Sequence, residues 1–370
     1  MRHPNRLDRL QPMLAAMLAV LGVMTVFSAG ADWARQLLWV VLGAAAYVAA
    51  TFYDYRRLRP LAPALYVVML VMLLAVHVVG HSALGARRWL SVAGFPLEPS
   101  ELSKLLIVIV LAAYLAREER IRWRAFGGAM CLVAAPAALV LVQPDLGTTL
   151  VLVAVALGML YLAGARPPHL GLVLTAAVVA VPLLPHLLHG YQRRRLEIFL
   201  DPSKDPLGAG YNLLQARIAV GSGGLFGRGW LHGIQGQLGF VPERATDFVF
   251  ATYAEEFGLL GGLVLLALFG VLLLRLLRTS GVAPDRFGEL LAGGVFAMVL
   301  VQVTENVGMN IGLLPIAGIP LPLISYGGSA TITTLAALGL VQSVIVRRRT
   351  VAHQEGVVPV LGTITRRAQA

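Results

Sequence analysis

Apolar runs long enough to cross a bilayer recur about ten times along this chain, and no other feature constrains its fold as strongly. At about 1.5 Å of rise per residue, roughly 17–25 apolar residues in a helix span the hydrocarbon. The runs lie near Leu10–Ser28, Gln36–Phe52, Leu61–Val79, Glu101–Ala116, Phe126–Val142 and Thr148–Gly164. Four more follow near Leu170–Leu187, Phe248–Leu274, Phe287–Val307 and Ala330–Val346. Only 13% of the residues are charged and 58% are hydrophobic, against roughly 25% charge in ordinary globular chains. The expectation is an all-α, polytopic integral membrane protein with about ten transmembrane helices, since helices satisfy their own backbone in lipid.

Lys and Arg outnumber Asp and Glu by 30 to 19, a net charge of +11. That balance can signal nucleic acid, but here the positive charge stands beside helix ends. Arg2, Arg6 and Arg9 precede the first run, and Arg56, Arg57 and Arg59 follow the second. Arg117, Arg120, Arg122 and Arg124 follow the fourth, Arg275 and Arg278 the eighth, and Arg347, Arg348 and Arg349 the tenth. With ten spans and both termini inside, all these clusters are cytoplasmic, as the positive-inside rule expects. Arg87 and Arg88 fall on the outer side. Cys131 is the only cysteine, so no disulfide forms within the chain. The first run is too long for a cleaved signal and reads as an uncleaved helix.

Three stretches on the outer side interrupt the apolar pattern. The first runs from His81 to Ser100. The second, residues 188–247, is a large extracytoplasmic loop between the seventh and eighth runs; it holds Arg193, Arg194 and Arg195 and a glycine-rich piece, Ile218–Gly229. Within it Tyr211–Ala219 is expected to form a short interfacial helix with Leu213, Leu214 and Ile218 on one side. The third, Gly308 to Ser329, is broken by Pro315, Gly318, Pro320, Pro322, Gly327 and Gly328. Irregular backbone at membrane depth is tolerated only where protein buries it or a cavity hydrates it. The three stretches point to one outward-facing site. Residues 1–370 read as a single transmembrane domain, and 350–370 as a cytoplasmic tail.

Asp247 stands where the long loop runs into an apolar helix, a costly place for an acid without a task. It suits a general base or a cation ligand; Thr246 or Asp247 could also cap the helix that follows. Ser100, Glu101 and Lys104 open the fourth helix, and the i, i+3 spacing of Glu101 and Lys104 puts them on one face, where they can pair. Such a pair either braces the helix start or faces the site. Asp145 suits an N-cap of the sixth helix. Arg193, Arg194 and Arg195 are a solvated charge run or a clamp for pyrophosphate, whose oxygens guanidinium binds in pairs. Glu255 and Glu256 are adjacent, about 100° apart, so one of them is expected to pair with a neighbouring helix. His77 and Glu305 suit structural hydrogen bonds. No P-loop, nucleophile elbow, dinucleotide fingerprint or metal-ligand spacing occurs, which argues against nucleotide-driven chemistry.

The stretches GARRWL, PSELSK, QPDLGTTL, YQRRR, LDPSKDPLGAGYNLLQARIAVGSGGLFGRGW, PERATDFVFA and GLLPIAGIPLPLISYGGS run in order from Gly85 to Ser329. With them the chain resembles the SEDS family (shape, elongation, division and sporulation) of bacterial peptidoglycan polymerases, on its RodA-like side. Three positions depart from the family pattern: Ala245 stands for a histidine, Glu98 for a glutamine and Gly239 for an acid. The first departure implies that Asp247 works without a neighbouring histidine.

The resemblance implies a multi-pass glycosyltransferase of the bacterial cytoplasmic membrane, its site facing outside. It would join lipid II into glycan strands for cell elongation and release undecaprenyl pyrophosphate. It implies a class B penicillin-binding transpeptidase as partner, and Asp247 as the catalytic acid, with Glu101 and Lys104 as the paired residues of the fourth helix. Ser100, Thr246, Asp145, Arg193, Arg194, Arg195, Arg88 and Trp89 complete the candidate set. A divalent cation, Mg or Mn, held by Asp247 or Glu101, is a candidate cofactor. The rival reading is a lipid II flippase, and a third is a scaffold for the transpeptidase. Polar residues gathered outside, over short basic cytoplasmic loops, favour the enzyme.

Overall fold

A computed structural model describes residues 8–83, 86–92, 95–180, 197–205 and 208–355. The apolar runs fold into helices α1 (Leu10–Ser28), α2 (Trp33–Phe52), α3 (Leu58–Val79), α4 (Pro99–Leu115), α5 (Trp123–Val142), α6 (Leu146–Leu162) and α7 (Pro167–Ala180). The long loop contributes α8 (Ala209–Ser222), and α9 (Val249–Gly281), α10 (Arg286–Asn310) and α11 (Gly328–Glu355) complete the chain. By length and composition seven can cross a membrane: α1, α2, α3 with the turn before it, α5, α9, α10 and the part of α11 up to Arg348. Helices α4 and α6 have 17 residues each. The seventh expected run is described only as far as Ala180.

Helix α4 occupies the centre. It packs against α3, α6, α10 and α11, and every residue from Leu105 to Ala113 is buried. A helix apolar all round belongs inside a bundle. Glycine lets α10 lie close against it: a Cβ on Gly294 would come within 2.6 Å of Val108 and 2.8 Å of Met159 on α6.

The arginine-rich end is clasped by its own charges. Arg275 on α9 lies 2.6 Å from Asp8. Asp285 accepts from Tyr55 and, at 3.1 Å, from Arg56. Arg347 donates to the Phe52 carbonyl at 2.7 Å.

The structure departs from the sequence reading in four ways, three of them at the opposite end. The first outer stretch is a three-stranded antiparallel meander, β1 (His81–Ala83), β2 (Ala86–Val92) and β3 (Phe95–Leu97), added to an otherwise helical chain. The interfacial helix does form, as α8, but Leu213 is buried with Ala216 and Ala219 while Leu214 and Ile218 face outward. The expected single face was wrong because apolar side chains stand on both sides of this helix. At the arginine-rich end, helix α11 runs on to Glu355, six residues into the expected tail.

The fourth departure is in α9, which is not one helix. At Gly258 φ is 67° and ψ is −167°. The glycine-rich piece supplies the hydrogen bonds the break removes: Arg228 and Gly229 N–H donate to the Glu255 and Glu256 carbonyls, both at 3.0 Å. In return Leu259 and Leu260 N–H donate to the Gly224 and Leu225 carbonyls at 2.9 and 3.1 Å. The segment between α10 and α11 is irregular, as expected, and protein buries it: Ile316, Ala317, Ile319, Leu321, Leu323 and Ile324 are all inside.

Candidate active site

Asp247 lies in a turn two residues before α9, partly buried. The helix begins from Phe248, whose side chain cannot cap it. Thr246 is turned the other way and donates to the Glu243 carboxylate at 2.9 Å.

The main chain of this turn is held from outside by partners the sequence reading missed. The Ala245 carbonyl accepts from the Tyr326 N–H at 2.7 Å, and the Thr246 carbonyl from Ser325 Oγ at 2.6 Å. The Asp247 carbonyl accepts from Asn306 Nδ2 at 2.9 Å and Asn310 Nδ2 at 3.1 Å. Arg244 Nε reaches the Ala29 carbonyl at 2.6 Å, tying the turn to the α1–α2 corner. Gln36 on α2 brackets the same segment, donating to the Ser325 carbonyl and accepting from the Gly327 N–H. Two asparagines four residues apart in an apolar run were the available signal, because polar side chains there face protein.

Beyond the turn, Glu255 and Glu256 pin the loop. The Glu255 carboxylate accepts from the Gln235 and Gly236 N–H groups at 2.8 and 3.0 Å. Glu256 accepts from Ser28 at the end of α1 and, at 3.1 Å, from the Leu231 N–H. One of the pair does reach a neighbouring helix. His77 is exposed; Glu305 is buried, and among the described residues it makes no hydrogen bond, so the structural role expected for it is absent.

A second cluster surrounds the start of α4. Lys104 Nζ lies 2.6 Å from Glu101 Oε1, both buried, as their spacing predicted. Ser100 Oγ donates to Glu98 Oε1 at 3.1 Å. Asp145 caps α6 by accepting from the Thr148 N–H at 3.0 Å, and its other oxygen lies 3.8 Å from Arg88. Arg88 also donates to the Pro144 carbonyl at 2.7 Å. Trp89, next along β2, pairs with His81 where the register of the two strands shifts. Three acids therefore share the cluster with two cations. Burial, then the nearby Glu101 and Asp145 carboxylates, pushes the Glu98 carboxyl up to about 8.

The corner between Ser325 and Ser329 joins the two clusters. Ser325 and Tyr326 hold the Asp247 turn, while Ser329 Oγ accepts from the Glu98 N–H at 2.9 Å. Arg193, Arg194 and Arg195 lie outside the described residues. Among the described residues, the Arg217 guanidinium of α8 donates to the Gly312 carbonyl at 3.1 Å, two residues beyond Asn310.

Among the described residues, no three His, Cys, Asp or Glu side chains gather in a way that would hold a metal ion. Glu101 spends one oxygen on Lys104. Among the described residues, side chains alone do not gather into a site for the candidate Mg or Mn.

A family profile described as cell cycle protein, covering FtsW, RodA and SpoVE, matches residues 9–350. The chain is 39% identical over 345 residues to the peptidoglycan glycosyltransferase MrdB of Escherichia coli K12, covering 90% of this chain and 93% of the relative. Among solved structures, it matches a chain from a study of how a peptidoglycan synthase complex coordinates polymerization and crosslinking, at 34% identity and a TM-score of 0.82, covering 92% of this chain and 98% of that one. The rod shape determining protein RodA of Thermus thermophilus matches at 32% identity and a TM-score of 0.69, covering 93% and 97%.

Proposed function

The chain belongs to the FtsW, RodA and SpoVE family of cell cycle proteins, and on that premise we propose that it is a peptidoglycan glycosyltransferase that polymerises lipid II for cell elongation. Its site faces the outside of the cytoplasmic membrane, and a class B penicillin-binding transpeptidase works beside it. The observation that carries the reading is Asp247, an acid at the mouth of an apolar helix on a main chain anchored from two other elements. Family relatives named as peptidoglycan glycosyltransferases support the reaction class.

The C4 hydroxyl of one N-acetylglucosamine attacks the anomeric carbon of a lipid-linked N-acetylmuramic acid. A C–O bond forms there as the bond to the pyrophosphate oxygen breaks. Asp247 takes the hydroxyl proton, and undecaprenyl pyrophosphate leaves with the bonding electrons. Such chemistry needs a base at the nucleophile and positive charge at the leaving group. Lys104 has three donors and gives one to Glu101, leaving two for phosphate oxygens. The arginines at 193–195 are assigned the same task. A divalent cation fits only as a companion of the pyrophosphate, with Asp247 or Glu101 lending a carboxylate.

The test is polymerisation of labelled lipid II by the purified protein with its transpeptidase, wild type against Asp247→Asn. Loss of a general base lowers the rate by roughly 10²–10⁴, so ladders are expected from wild type alone. Equal ladders from both would remove the base. No ladder from either, with lipid II crossing liposomes instead, would establish a flippase.

A further inference from the structure

Asn306 and Asn310 stand one turn apart on α10, and neither exposes any surface. A buried carboxamide is costly unless its donors and acceptor are all engaged. Here they are, and they converge. Asn306 Nδ2 donates to the Asp247 carbonyl at 2.9 Å and the Ile319 carbonyl at 2.8 Å. Asn310 Nδ2 donates to the same Asp247 carbonyl at 3.1 Å, and its Oδ1 accepts from the Ala251 N–H in the first turn of α9, also at 3.1 Å. The two side chains touch each other, with Asn310 Nδ2 lying 3.3 Å from Asn306 Oδ1.

Both lone pairs of one carbonyl are thus filled from α10. With Ser325 on Thr246 and the Tyr326 N–H on Ala245, three successive carbonyls are held by partners outside their own turn. Fixing successive peptide planes fixes the direction in which the residue between them projects its side chain. Fold stability alone does not require both amide donors on this peptide, since the first turn of α9 needs only the Asn310 oxygen.

We propose that Asn306 and Asn310 are positioning residues for glycosyl transfer: together they hold the main chain that sets where the Asp247 carboxylate meets the attacking hydroxyl. This rests on Asp247 being the base. The asparagines touch no substrate. Their effect is geometric, and a displacement of about 1 Å from reactive geometry lowers a rate by roughly 10².

The experiment compares wild type, Asn306→Ala, Asn310→Ser and Asp247→Asn, each purified with the transpeptidase and assayed on labelled lipid II. The expected result is a kcat lower by roughly 10² in each asparagine variant that folds, with KM within about twofold. A kcat within about threefold of wild type in both, or a higher KM at unchanged kcat, overturns the proposal. Should Asn306→Ala not fold, Asn306→Ser, which keeps a shorter donor, replaces it under the same criteria. Asp247→Asn separates the two layers. Full activity there sinks the base reading itself; a silent Asp247→Asn beside fully active asparagine variants sinks only the positioning role.

Discussion

Lys104 Nζ and Glu101 Oε1 lie 2.6 Å apart, one turn from each other on α4, with neither side chain reaching solvent. Removing one partner leaves the other charge buried alone, which costs about 3–5 kcal/mol, whereas replacing both by apolar residues is often near neutral. Lys104→Met is therefore expected to lower the melting temperature sharply in detergent. The double change Glu101→Leu with Lys104→Met should recover most of that loss and remain inactive on lipid II. An active double variant would make the pair a strut only.

Glu98 gives the site a pH dependence. Its carboxyl sits near 8 in the folded protein against 4.5 when unperturbed. The folded state therefore keeps a proton that the unfolded chain has released, and stability falls as pH rises from about 4.5 to about 8. Glu98→Gln retains a neutral donor and acceptor without that slope. Between about pH 5.5 and 8.5 the wild-type melting temperature should fall relative to the variant's. Parallel curves would mean that Glu98 is already ionised.

Asp145 is predicted to be replaceable by its amide. It caps α6 through Oδ1, and asparagine caps as well as aspartate. Asp145→Asn should keep stability and polymerisation close to wild type, although it too removes the charge facing Arg88 at 3.8 Å, whereas Asp145→Ala also loses the cap and should cost about 1 kcal/mol or more. Inactivity of a stable Asp145→Asn protein would show that the charge takes part in the reaction.

The break in α9 depends on glycine. The φ of 67° and ψ of −167° at Gly258 are almost closed to other residues, and a Cβ there would lie 2.2 Å from the Gly227 nitrogen. Strain alone costs about 1–3 kcal/mol, so Gly258→Ala should give little folded protein on size exclusion. Gly270→Ala, where a Cβ meets nothing within 4 Å, is the control expected to fold normally.

Much of this was legible beforehand, for definite reasons. The long apolar runs announce their helices, the i, i+3 spacing paired Glu101 with Lys104, and Asp145 before a helical run read as a cap. Asn306 and Asn310 were not legible as a clamp, because their targets are main-chain carbonyls brought close only by tertiary folding. The break at Gly258 was hidden too: glycine is common in membrane helices, and nothing in FGLLGGLVLLALFG marks Gly258 apart from the glycines of an ordinary span. The meander escaped notice because its strands are short and two of them hold only three residues.

The stitching of the glycine-rich piece onto α9 also divides what the two halves of that helix lean on. The part after Gly258 is a continuous apolar span, whereas the piece before it carries Glu255 and Glu256, whose carboxylates are held by the upstream loop and by Ser28 at the end of α1. Asp247 lies at the far end of that earlier piece. The half nearest the site is thus fastened by polar contacts with protein, and the other half by its fit to lipid.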